Sequence, residues 1–316
     1  MAERWRRRQG PAILPAMRVA LALAAVLTAG LLHAPAAHAW CQSRDTVPAV
    51  GGCAQPCVTE GLRLQWGRPC IDYVIHRDGS RDLPLVEVQA IFDRSFATWL
   101  AIDCSGGPPG FVVQRRDELG ECAVPEYVSG GGNANTMVFV DDWSDRGHAS
   151  GAFALTTTWF STRTGEIFDA DMELNQQFWT FRACPEEGCA DGSIDLENTV
   201  THELGHFFGL AHTPDDPEAT MWACADEGET MKRSLEADDV AGFCAIYDGD
   251  PIFEDECDFE PRGGFSALCG EDQGSGGGGC GCAAPGAGGG AGAAGGALAL
   301  LALFVVRRRR GSGRAR

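Results

Sequence analysis

The sequence predicts an α+β fold in which a few helices pack on one twisted, mostly parallel sheet. Segments rich in β-branched and aromatic residues, typical of strands, recur between Ile71 and Leu174. Other segments place apolar residues at helical spacing. An even dozen cysteines, scattered from Cys41 to Cys269, is typical of disulfides in an exported chain rather than of metal ligands. Length and composition predict one globular domain, or two small ones, with additional segments at both ends.

The predicted elements follow one another along the chain. Residues 40–66 are rich in Cys, Gly and Pro, and they predict a short, disulfide-tied N-terminal segment. Alternating or β-branched stretches then predict strands over 71–75, 111–114, 136–140, 152–159 and 167–174. Apolar stripes predict helices over 86–102, 194–208 and 235–247. Ser193 or Asp195 could cap the second helix, and Ser234 the third.

Spacing alone does not fix how the cysteines pair. Proximity along the chain favours three disulfides, namely 104–122, 184–189 and 224–244.

The first 39 residues have the order of a secretory signal peptide. Five Arg precede or flank the start of an apolar run over 19–32, and the small-x-small site Ala37-His38-Ala39 follows. Cleavage is therefore expected after Ala39. The alternative is a buried helix.

The C-terminal part of the sequence predicts a stalk over 250–282, followed by a membrane or sorting segment. Residues 250–282 are acidic and then Gly-rich, whereas 283–306 carry no charge over 24 residues. That length can span ~30 Å of hydrocarbon, with the Arg block at 307–310 on the cytoplasmic side. Cys280-Gly281-Cys282, the small apolar segment and the Arg cluster resemble the C-terminal sorting tag of myxobacterial surface proteins (MYXO-CTERM). The resemblance covers roughly residues 275–316, of which 283–316 form the sorting tag. It implies processing near Cys280 or Cys282 and display at the cell surface; an ordinary membrane anchor is the alternative.

The charge of the central region excludes some partners. The formal net charge is −19. The two ends hold 11 of the 25 basic residues and one of the 44 acidic ones, which leaves 43 acidic and 14 basic residues in 40–280. Nucleic acids and anionic membranes need a basic surface. No nucleic-acid partner is therefore expected, membrane contact is expected only through the C-terminal segment, and a monomer is expected.

The residues that carry chemistry lie in the second predicted helix. His202 and His206 are four residues apart, so both imidazoles project from one helix face. A continuing helix would carry His212 ~9 Å away, but Gly209 can adopt a positive φ and turn the chain back. Three imidazoles with one open position are typical of a catalytic zinc site. Glu203 is then placed to take a proton from the zinc-activated water and pass it to the leaving amine.

Chance is a poor explanation of this motif. His-Glu-x-x-His alone would occur in roughly 1% of sequences of this composition, and the extended form in roughly three of 100,000. The alternative, a helix with two incidental surface histidines, does not account for the added glycine and third histidine.

With these residues the sequence resembles the metzincin metallopeptidases, and their matrixin branch in particular. In that family a Met-containing turn follows the zinc signature, and Met221, nine residues after the third histidine, matches it better than Met231. Thr213 and the segment 235–247 also look like the matrixin branch. The resemblance assigns 67–249 to a metzincin-like (zincin) catalytic domain. It implies a twisted, mixed five-stranded sheet with an active-site helix and a C-terminal helix.

The resemblance also suggests where ligands bind. Residues 152–156 would form the edge strand above the cleft, to which an extended substrate adds as another strand. Asp169, Asp171 and Glu173 alternate on one face of the next strand and could bind Ca²⁺. More often, such a row is a solvated face.

The sequence departs from the matrixin pattern in three ways. A second, structural zinc would need three more histidines, and the mature chain has only His76 and His148 to offer, so no such site is predicted. A prodomain with an inhibitory cysteine is not recognisable. Trp222-Ala223-Cys224 replaces the Pro and Tyr of the specificity pocket, so side-chain preference does not carry over.

The sequence thus predicts an exported, surface-displayed zinc endopeptidase that hydrolyses proteins or peptides. One catalytic Zn²⁺ is expected, and Ca²⁺ is left open. The alternative is a catalytically silent surface adhesion or binding module that retains the metal, which would not require Glu203. The predicted roles are metal ligand for His202, His206 and His212, general base for Glu203, and structural for Gly209 and Met221.

Overall fold

The computed structural model describes residues 40–46, 52–104, 107–248, 257–270 and 272–273, and the backbone of 295–300. The predicted signal peptide and most of the predicted membrane or sorting segment lie outside these residues. Within the described residues, no helix is long and apolar enough to cross a membrane.

The elements are numbered in chain order. The strands are β1 (Cys41–Gln42), β2 (Gln65–Trp66), β3 (Cys70–Ile75), β4 (Val112–Arg115), β5 (Thr136–Val140), β6 (Ala154–Ser161), β7 (Glu166–Asn175), β8 (Phe181–Arg182), β9 (Ile194–Asp195), β10 (Leu210–Ala211) and β11 (Gly295–Leu300). The helices are α1 (Leu85–Leu100), α2 (Leu196–Phe207) and α3 (Ala237–Tyr247), with a short 3₁₀ helix at Met231–Arg233.

The predicted α+β fold with a mixed, mostly parallel sheet is confirmed. Its body has the five predicted strands in the order β6-β7-β5-β3-β4. All neighbouring pairs are parallel except β6 and β7, which are antiparallel. β5 and most of β7 are buried on both faces, as expected for the centre of a parallel sheet. Two further strands extend this body, since β2 pairs with β7 and β11 pairs with β6.

The outer side of β6 is therefore occupied along much of its length. Gly295–Leu300 run antiparallel to β6, with Gly295 opposite Ser161 and Leu300 opposite Thr156. The predicted edge segment 152–156 shares only Thr156 with this pairing, and an open edge over 152–155 stays a prediction.

An aromatic core fixes α2 against its neighbours. Phe208, just past the end of α2, packs edge-on against Phe96 of α1 and Phe243 of α3. Trp99 of α1 is fully buried, and its indole N–H donates to the carbonyl of Thr201 at 2.8 Å. Burial of each such side chain contributes about 1.5–3 kcal/mol. The core therefore holds α2 rigidly at the point where the zinc motif begins.

The caps of the helices agree only in part with the sequence prediction. Asp195 caps α2, since its side chain accepts from the Asn198 amide at 2.7 Å. Ser234 does not cap α3. Glu236 does so, in a capping box with Asp239, whereas the Ser234 hydroxyl donates back to the carbonyl of Met231.

The twelve cysteines of the body form six disulfides. The pair Cys184–Cys189 is confirmed. The pairs 104–122 and 224–244 are wrong, because folding brings partners together from distant parts of the chain. The observed bonds are Cys41–Cys57, Cys53–Cys224, Cys70–Cys257, Cys104–Cys244 and Cys122–Cys269.

Two of these disulfides attach part of the predicted stalk to the sheet domain. Cys257 and Cys269 both bond to the sheet domain, so 257–270 lie against that domain. The Arg116 guanidinium also lies over the Phe265 ring, 4.1 Å from its centroid.

Candidate metal centre and active site

The three histidines of the zinc motif converge at one buried point. His202 and His206 lie one turn apart on α2, and His212 follows the turn after it. The ring centroids of the three pairs are 4.7–5.2 Å apart. One ring nitrogen from each lies within 4.8 Å of the other two. The sequence-predicted ligand set is thus assembled in space.

A sharp turn at Gly209 brings the third histidine back. Gly209 has φ 85°, a left-handed conformation that side chains rarely adopt, and a Cβ there would lie 2.5 Å from the Leu64 carbonyl oxygen. The chain then runs as β10 and pairs with β1 of the N-terminal segment. The backbone therefore requires glycine at this position.

Backbone carbonyls orient two of the rings. Nδ1 of His202 donates to the Thr220 carbonyl at 2.5 Å, and Nδ1 of His206 donates to the Leu210 carbonyl at 2.8 Å. A neutral imidazole that donates through Nδ1 carries its lone pair on Nε2. Nε2 of His206 lies 3.1 Å from Nε2 of His212. The lone pairs thus face the interior of the triad, as metal ligation requires.

Burial keeps these rings neutral. Desolvation lowers the pKa of His206 to about 4, and it lowers the pKa values of His202 and His212 well below the ordinary range. Three neutral imidazoles, oriented by backbone acceptors and close enough to share one ion, fit a Zn²⁺.

Glu203 is fully buried beside the first histidine. Its Oε2 accepts a hydrogen bond of 2.7 Å from the hydroxyl of Thr156 on β6, whereas Oε1 has no hydrogen-bond partner among the described residues. Burial raises the pKa of Glu203 to about 8, and the Thr156 hydrogen bond acts in the opposite direction. A carboxyl group with this pKa can both accept and release a proton near neutral pH.

Met221 lies beneath the active-site helix. A Cβ at Gly205 would collide with the Met221 sulfur, so only glycine allows this approach. Met221 is buried, whereas Met231 is 42% exposed and belongs to the 3₁₀ helix. Thr213 pairs with the same turn, donating its amide to the Met221 carbonyl at 3.0 Å.

The sequence reasoning missed the residue that holds this turn. Asp239 accepts three backbone N–H bonds, from Thr220 at 2.8 Å, Met221 at 3.0 Å and Glu236 at 2.9 Å. The Thr220 carbonyl in turn orients His202. The only sequence signal was a pair of acids early in the last helix, which is also typical of ordinary capping.

The acidic row on β7 is buried rather than solvated. Asp171 accepts from the amides of Thr136 and Glu126, and Glu173 bonds to Arg146 at 2.8 Å. Among the described residues, the row does not come together as a metal-binding group. Cys122, Glu126 and Cys269 do cluster, but the two sulfurs form a disulfide. Calcium binding stays a prediction.

Part of this chain is similar in sequence to known metalloendoproteinases. Residues 141–248 match the model of the matrixin family. The chain is 25% identical to Metalloendoproteinase 1-MMP of Arabidopsis thaliana over 188 residues, which cover 59% of this chain and 45% of that protein. It is 24% identical to Matrilysin of Homo sapiens over 168 residues, which cover 53% of each. Residues 141–248 thus resemble a matrixin domain, and the chain is distantly similar to these two proteins. It spans about half the length of these curated relatives.

Proposed function

We propose that this chain is an exported zinc-dependent endopeptidase that hydrolyses peptide bonds of proteins. The observation that carries the proposal is the convergence of His202, His206 and His212 at one buried point, with Glu203 beside it. The six disulfides support export, because such bonds persist in oxidising compartments. Surface anchoring through the C-terminal segment is part of the same proposal and rests on the sequence alone. Anchoring would withdraw residues 295–300 from β6, with which they pair in this structure.

Each residue has a distinct role in the proposed reaction. The three histidines would hold Zn²⁺, which supplies Lewis acidity for the attacking water and the scissile carbonyl. Glu203 accepts the proton of the attacking water on its carboxylate and delivers it to the leaving amine nitrogen. Met221 and Gly209 shape the backbone that keeps the ligands in place. The hydrogen bonds to Thr220 and Leu210 hold two ligand rings in the required tautomer.

The substrate would bind in extended form along β6. Backbone groups on the outer side of this strand offer a ladder for an added strand. Residues 295–300 pair with the same side of β6, so a substrate strand and this segment compete for the positions from Thr156 onward.

The decisive experiment compares the exported chain with its Glu203→Gln variant, which keeps the shape of the side chain but cannot act as a base. We expect one zinc per chain in both proteins. We expect chelator-sensitive cleavage of casein only by the parent, with kcat at least ~100-fold lower in the variant. Glu218→Gln is the matched control, because Glu218 is exposed and lies outside the triad.

The other outcomes are also informative. Zinc in both proteins without cleavage of several protein substrates by either would favour the silent binding module. A folded parent without stoichiometric zinc would refute the proposal.

A further inference from the structure

The hydroxyl of Thr156 is fixed against the carboxylate of Glu203. Thr156 lies within β6, where it pairs with Met172 of β7, and its side chain is fully buried. Its Oγ1 lies 2.7 Å from Oε2 of Glu203 and 3.3 Å from the Glu203 carbonyl oxygen. A hydroxyl has one proton to donate, and the shorter contact to the carboxylate takes it.

The two carboxylate oxygens of Glu203 therefore differ in their hydrogen bonding. Oε2 is engaged by Thr156, whereas Oε1 is buried and lacks a hydrogen-bond partner among the described residues. Buried polar atoms are nearly always paired, so an unpaired carboxylate oxygen calls for a ligand or a reacting group. The hydrogen bond restricts the carboxylate to one orientation and leaves Oε1 for that task.

We propose that Thr156 is a positioning residue for the general base: its hydroxyl holds Oε2 of Glu203 so that Oε1 accepts the proton of the attacking water. This role rests on the proposed endopeptidase function. It concerns orientation rather than metal binding, because the hydroxyl of Thr156 bonds to the carboxylate of Glu203. A β-branched residue within a sheet suits it, since its χ1 angle is restricted.

The chain provides a matched control in strand β5. Thr136 is buried there, and its Oγ1 donates to the carbonyl of Ala134 at 3.2 Å rather than to Glu203. Threonine to valine removes the hydroxyl and keeps the shape in both cases. The two variants therefore differ in whether a hydrogen bond to the base is lost.

The kinetic test uses the full exported chain with its zinc. For Thr156→Val we expect kcat to fall about 10- to 100-fold, the range for losing one hydrogen bond to a charged group, while KM and zinc content stay within about twofold. Thr156→Ser, which keeps the donor, should recover most of the loss, and Thr136→Val should behave as the parent. An unchanged kcat in Thr156→Val, or a loss that serine does not recover, would overturn the proposal.

A second readout does not depend on activity. In the zinc-free chain, Thr156→Val should lower the Tm of the parent but add little in a Glu203→Ala background, where the partner is absent. An equal shift in both backgrounds would show that the two residues are not coupled and would overturn the proposal. If Thr156 and Glu203 are coupled in Tm but the parent cleaves no protein, the hydrogen bond is established and the proposed function is refuted. The positioning role is then refuted as well.

Discussion

At the scale of single residues, burial decides the protonation of the site. An exposed histidine has a pKa near 6.5, so protons would compete with zinc below that pH. The pKa of His206 is lowered to about 4 and those of His202 and His212 lie well below the ordinary value. A lowered pKa means that the folded rings stay neutral as the pH falls through 6.5. Glu203 is the opposite case, since its raised pKa of about 8 keeps it protonated at pH 7 without a metal.

These shifts predict the pH dependence of zinc binding. Between pH 5 and 7.5 the histidines release no proton on binding, whereas Glu203 releases one when it ionises beside the cation. The logarithm of the zinc affinity should therefore rise by about one for each pH unit. Three solvent-exposed histidines would each release a proton below pH 6.5, and the slope would then approach three. Competition with a chelator at several pH values measures this slope. Glu203→Gln should reduce the slope to near zero; a slope near three in the parent would contradict the prediction.

The same residues show what a sequence can reveal about a site. His202, Glu203 and His206 lie on one helix, so their relative positions follow from the helical repeat. Asp239 and Thr156 reach the site from other elements, 36 residues after and 47 residues before Glu203. No local spacing connects them to the motif. Their roles became visible only from the tertiary contacts.

At the scale of elements, the Met-containing turn depends on the start of α3. Asp239 offers one carboxylate to three backbone N–H groups, and two of these belong to the turn. Burial raises the pKa of Asp239 to about 6, and the three hydrogen bonds offset only part of the cost of burying its charged form. α3 and the turn should therefore unfold together.

Replacement of Asp239 should destabilise the chain strongly. Asp239→Ala leaves buried N–H groups without acceptors, and we expect it to lower the free energy of unfolding by about 3–5 kcal/mol. Urea denaturation of the zinc-free chain gives this value. Asp145→Ala, at an exposed aspartate, is the control and should change it by less than ~0.5 kcal/mol. Equal effects of the two substitutions would show that the carboxylate does not hold the turn.

The elements themselves were largely predictable, and the errors have physical causes. Strand and helix periods identified the five-stranded body and the three helices, because those periods are local. Residue type favours Ser234 as the cap of α3, but its hydroxyl donates to the carbonyl of Met231 in the 3₁₀ helix. Two predicted disulfide pairs are wrong because Cys104, Cys122 and Cys224 bond to partners more than 100 residues away. Proximity in sequence carries no information about such pairs.

At the scale of the whole molecule, segments from early and late in the chain lie next to elements of the candidate site. The N-terminal segment pairs with β10 directly after the Gly209 turn, and Cys53 bonds to Cys224 just past the Met-containing turn. The backbone of Gly295–Leu300 lies along β6, whose Thr156 contacts Glu203. A substrate bound as an added strand needs the same hydrogen-bonding groups of β6.

This shared edge predicts that the C-terminal segment weakens substrate binding. A chain that ends before Gly295 should have an unchanged kcat and a KM lower by roughly tenfold, because a tethered competitor acts at a millimolar effective concentration. Paired substitutions Ala297→Pro and Leu298→Pro in the intact chain are the control, since proline cannot donate to the ladder at either position. They should lower KM as truncation does while retaining the length and charge of the tail. Equal KM values in the parent, truncated and proline chains would mean that the segment and the substrate do not compete for β6.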